Sequence, residues 1–106
     1  PGVMRMLEAA HRTEGRLPWA RLFDAAIAAA EGGFAVTPRL AAAIGTHAPR
    51  LGAGTPFLRT DGTPPRAGET LRNPALAATL RAVATQGAGA LHEGPIAEAL
   101  VAAVRG

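Results

Sequence analysis

Proline and glycine decide what this chain can become, because they recur often enough to cut it into short pieces. There are 9 prolines and 13 glycines in 106 residues. Thr37-Pro38 and Asn73-Pro74 each set a capping side chain before a proline, whose fixed φ suits the first helical turn. Gly15, Gly32-Gly33 and Gly87 follow apolar stripes, where glycine stops a helix. Between these marks the apolar residues recur at helical spacing. The expected fold is mainly α, with about five amphipathic helices, an irregular hairpin-like middle loop and no central sheet.

Residues 3–13 carry Val3, Met6, Leu7 and Ala10 at i, i+3, i+4 and i+7, one face of a helix. Pro18 opens a second helix over 18–31, with Trp19, Leu22, Phe23, Ala26, Ile27 and Ala30 as its stripe and Arg21, Asp24 and Glu31 off it. Thr37-Pro38 starts a short third helix with Leu40, Ala43 and Ile44 inward, ended or kinked at Gly45. Periodicity is lost over 49–73, where Asp61-Gly62 marks a turn in a small hairpin or ordered loop. A fourth helix over 74–86 turns Leu76, Ala77, Leu80, Val83 and Ala84 inward. A fifth carries Ile96, Ala97, Leu100, Val101 and Val104. The main core is expected where Trp19, Leu22, Phe23 and Ile27 meet Leu76, Leu80, Val83 and the last helix. The whole, residues 1–106, reads as one helical domain.

Composition closes off several functions. All 11 basic residues are arginine, dispersed from Arg5 to Arg105 without a block, against 8 acidic residues, for a net charge of +3. A nucleic-acid surface needs clustered cations, often with stacking aromatics. Here aromatics are 4% of the chain, and all lie among apolar neighbours. Without cysteine there is neither a disulfide nor a thiolate metal site. No run reaches the ~18 to 20 apolar residues that cross a bilayer. No charged end followed by an apolar run marks a signal peptide, and the first residue is proline, so the chain reads as an excerpt or a processed product.

The chemical candidates are few. His92-Glu93 stands before Gly94-Pro95, but sequence neighbours point apart, so the pair reads as a connector with Glu93 near a positive helix start. Thr46-His47 pairs a hydroxyl with a base, yet an internal threonine has no free amine to activate it. His11 reads as a solvated residue on the polar edge of the first helix. The three histidines are 36 and 45 residues apart and match no zinc motif. The glycines of "GGF" and "GAGT" lack the context of a phosphate cradle. By pattern, no catalytic, substrate-binding, cofactor or metal residue is expected.

The order of the segments carries more. "PGVMRMLEAAHRTEGRLPWARLFDAAIAAAEGGFAVTPRLA" resembles the gamma-glutamyltranspeptidases (gamma-glutamyltransferases). In that family a Pro-Gly opens a helix and a Gly-x-Leu-Pro-Trp segment follows. The next helix is matched by Leu22, Phe23, Ala26, Ile27, Ala30, Gly33, Phe34 and Val36. "FLRTDGTPPRAGETLRNPALAATLRAVATQGAGALHEGPIAEALV" is similar to the stretch from the family's Asp-Gly turn to its "(Y/H)-x-G-x-IAE" helix.

The resemblance implies an internal segment of the large, N-terminal subunit of an αββα N-terminal-nucleophile hydrolase. Such enzymes cut themselves from one precursor. The small subunit then opens on a threonine that attacks the gamma-glutamyl amide of glutathione and passes the acyl group to water, an amino acid or a peptide. Related members prefer cephalosporin-type acyl groups. A free-standing helical interaction module is the reading from another class. The family's Thr-Thr-His opening, its carboxylate-binding Arg-Glu-x-x-Pro segment and its Gly-Gly-x-x-Thr run are not in this sequence. No catalytic role therefore transfers to a residue here.

The implied partners are the rest of the large subunit and the small catalytic subunit, with a periplasmic or secreted location. The faces of the first helix (Val3, Met6, Leu7) and the last (Ile96, Leu100, Val101, Val104) are expected to be uncovered, favouring self-association of the segment.

Overall fold

The computed structural model describes residues 2–106; Pro1, half of the Pro-Gly opening, lies outside the described residues. Five α-helices dominate: α1 (Val3–Glu14), α2 (Asp24–Gly32), α3 (Pro38–His47), α4 (Pro74–Gln86) and α5 (Gly94–Arg105). Short 3-10 segments run over Trp19–Phe23, Ala48–Arg50 and Ala88–Leu91. Strands β1 (Phe34–Ala35) and β2 (Thr70–Leu71) pair antiparallel, Phe34 against Leu71 and Ala35 against Thr70. The class is mainly α, as the periodicity predicts.

The chain divides into two compact units. One comprises residues 1–27 and 75–106, the other residues 28–74. In the first, Phe23, Val83, Ala84 and Ala90 form the buried core, packed by Met4, Trp19, Ile27, Leu80 and Leu91. Trp19 and Phe23 meet edge to face at 5.0 Å between ring centroids, the geometry an aromatic quadrupole favours. Trp19 donates its indole N–H to Val83 O at 2.9 Å. That bond gives the ring's one polar atom a partner in partly buried surroundings.

Three details differ from the stripe reading. Pro18 leads not into α-helix but into a 3-10 turn, with α-helix starting only at Asp24. The tighter turn swings Leu22 outward, 49% exposed, while Phe23 points in at 9%. Leu76 is also largely exposed, and α5 contributes no buried residue to the core. In α1 the half-buried positions are Met4, Glu8 and His11, an i, i+4, i+7 set. The Val3-Met6-Leu7 stripe looks to solvent, uncovered as expected of it. His11 sets this choice. Its Nε2–H donates to Leu17 O at 2.6 Å, and its ring lies 5.5 Å from that of Trp19, so it is not the solvated edge residue expected.

The second unit has its own core of Val36, Ile44 and Leu71, packed by Leu40, Ala41, Leu51 and Leu58. Thr37 caps α3 as expected, its hydroxyl accepting from the Leu40 N–H at 3.1 Å. Gly45 does not end α3, which runs on to His47. A lone glycine inside a helix costs only about 1 kcal/mol against alanine, and Ile44 beside it is anchored in the core. β1 and β2 are extended by Val36 N–H to Glu69 O and Gly68 N–H to Val36 O, both at 2.8 Å, and by Asn73 N–H to Ala30 O at 2.7 Å. Gly33, at φ +93°, turns the chain from α2 into β1, a conformation that L side chains resist.

Candidate functional site

The sequence candidates fall into ordinary structural places. Thr46 lies in the last turn of α3 and donates its hydroxyl hydrogen to Ala42 O at 3.1 Å. That is the back-bond common to helical threonines, and it engages the proton a base would have to remove. His47 closes the same helix, where a basic side chain suits the negative end of the dipole.

Glu93 is the residue before α5, in extended backbone, and its carboxylate makes no capping bond. His92 follows the 3-10 turn Ala88–Leu91, its amide donating to Gly89 O at 2.9 Å. The connector reading of this stretch therefore stands. His92 nonetheless has one unexpected property: its Nε2 is buried without a hydrogen-bond partner. It edges an open groove of ≈ 700 Å³ running along α5, lined by Leu91, Ala97, Leu100, Val101 and Val104. A polar atom in such surroundings loses water without replacement, at a cost of about 1–3 kcal/mol. Among the described residues, no three His, Asp or Glu side chains are placed to hold a metal ion.

The best-formed polar cluster was missed by pattern reading. Arg59 chelates Glu69, Nε donating to Oε2 at 3.1 Å and Nη2 to Oε1, while Nη1 donates to the Thr63 hydroxyl at 3.1 Å. Asp61 Oδ1 accepts from the Thr63 amide at 3.0 Å and from its hydroxyl at 2.6 Å. The turn closes through Gly62 N–H to Arg59 O at 2.9 Å and Arg59 N–H to Thr63 O at 2.8 Å, with Gly62 at φ +83°. So the expected Asp61-Gly62 turn is present, as an ordered loop and not a two-stranded hairpin.

The charges are mutually set. The Arg59 guanidinium holds the Glu69 carboxyl below the usual range, the Thr63 hydroxyl and amide do the same for Asp61, and Glu69 raises Arg59 further. A carboxylate already committed to an arginine fork has little basicity to spare, so the cluster is chemically a staple. Asp-Gly announces the turn in sequence, but nothing local announces Glu69, which joins from ten residues away.

Comparison with known proteins gives the family. The family model for gamma-glutamyltranspeptidase matches residues 1–106. The chain belongs to the gamma-glutamyltranspeptidase family. It is 39% identical over 109 residues to glutathione hydrolase 3 of Arabidopsis thaliana, covering 99% of this chain and 17% of that protein. It is 40% identical over 105 residues to the human glutathione hydrolase 5 proenzyme, covering 95% of this chain and 18% of that one. The chain thus spans under a fifth of these relatives.

Among solved gamma-glutamyltranspeptidase-like folds, the Bacillus anthracis transpeptidase CapD superposes with a TM-score of 0.92 at 33% identity, covering 99% of this chain and 37% of that one. The Helicobacter pylori gamma-glutamyltranspeptidase superposes at 0.88 with 26% identity, covering 94% and 30%. Both agree with an order of helices and loops that belongs to a larger enzyme fold.

Proposed function

We propose that this chain is a structural segment of the large subunit of a gamma-glutamyltransferase/glutathione hydrolase, one helical domain that is inert by itself. The observation that carries the reading is the end-to-end match to glutathione hydrolases several times longer. In the parent, the small subunit's N-terminal threonine would attack the gamma-glutamyl carbonyl of glutathione. The glutamyl group passes to the hydroxyl oxygen, cysteinylglycine leaves with the proton, and water or an amino acid or peptide amine then takes up the acyl group. The segment's part is mechanical. Its two cores, around Phe23–Val83 and Val36–Ile44–Leu71, hold the loops that the rest of the large subunit and the small catalytic subunit build upon. A periplasmic or secreted site of action goes with this reading.

The internal Thr46 supports inertness, since its hydroxyl proton is engaged by Ala42 O and no free amine belongs to it. Purified chain is expected to release no chromophore from a gamma-glutamyl anilide above the blank, with or without an acceptor dipeptide. Release that disappears in Thr46→Ala would overturn the proposal.

A further inference from the structure

We draw no further inference here: the strongest candidate, the unpartnered Nε2 of His92 at the edge of the apolar groove along α5, carries nothing, because the chain spans under a fifth of the glutathione hydrolases it matches and nothing in the structure shows what covers that groove.

Discussion

Replacing Phe23 by alanine tests the first core directly, because its neighbour Leu22 supplies an internal control. An aromatic side chain removes on the order of 150–250 Å² from water on burial. Phe23 keeps only 9% of its surface exposed, so at ~25 cal/mol per Å² the transfer contribution is about 4 kcal/mol. The edge-to-face contact with Trp19 adds roughly 0.5–1.5 kcal/mol. Against this, the unfolded chain is already partly collapsed, which lowers the figure. The expected loss is about 3–5 kcal/mol, within the range for Phe→Ala in cores.

That is a large share of the ~5–15 kcal/mol by which domains are stable. With a urea dependence of roughly 1–3 kcal/mol per molar, the midpoint should fall by at least about 1 M, or folding should be lost. Leu22→Ala, at a site 49% exposed, should cost under about 1 kcal/mol. Urea melts followed by tryptophan fluorescence read both, since Trp19 sits against Phe23. A Phe23→Ala loss below about 1 kcal/mol, or a greater loss at Leu22, would refute the assignment of the inward face.

Gly87→Ala should destabilise by about 2 kcal/mol or more, because Gly87 has φ +80° and an added Cβ would meet the Glu8 carboxylate; in a Glu8→Ala background a thermal melt should recover only the steric part. Trp19→Phe removes the indole donor but leaves Val83 O still accepting from the Gly87 amide, so its cost should be modest, about 0.5–1.5 kcal/mol in a urea melt. Asp61 and Glu69 are both depressed in the folded state. Their stabilisation is therefore present above the unfolded carboxylate values and lost as pH falls through the folded ones. Amide exchange at Thr63 and Gly68, corrected for intrinsic rates, should be level above about pH 5 and lose protection toward about pH 3. Glu69→Gln should abolish the share of that loss due to Glu69.

What the sequence made legible was the punctuation. Thr37 caps its helix through a hydroxyl whose only requirement is local, and Pro38 and Pro74 start helices because their φ is preset. The resemblance to the gamma-glutamyltranspeptidases was legible for a different reason, the collinear order of many weak matches. Faces were harder. Val3, Met6 and Leu7 form a better apolar stripe than Met4, Glu8 and His11, yet the second set turns inward because the Leu17 carbonyl and the Trp19 ring await His11. A partner six or eight residues beyond the helix window leaves no trace in periodicity. The strands are two residues each, too short to alternate, and their partners are 35 to 37 residues apart. Of the polar features, the Asp61-Gly62 turn was visible, whereas Glu69 joining Arg59 and the stranded Nε2 of His92 depend on tertiary placement.

The zipper from Ala30–Val36 to Gly68–Asn73 has a further consequence. Both ends of the stretch between them are clasped side by side, by the β1–β2 pairing, by backbone bonds at Val36 and Asn73, and by the Arg72 Nε–H to Gly32 O contact at 3.1 Å. A lengthening or shortening at the exposed residues 52–54, outside α3 and the core, is absorbed within the clasp. The entropy of closing such a loop changes by only about 0.6 kcal/mol per doubling of its length. Insertions and deletions among relatives should therefore gather here, around the "APRLGAGT" stretch. The clasp itself should hold its length.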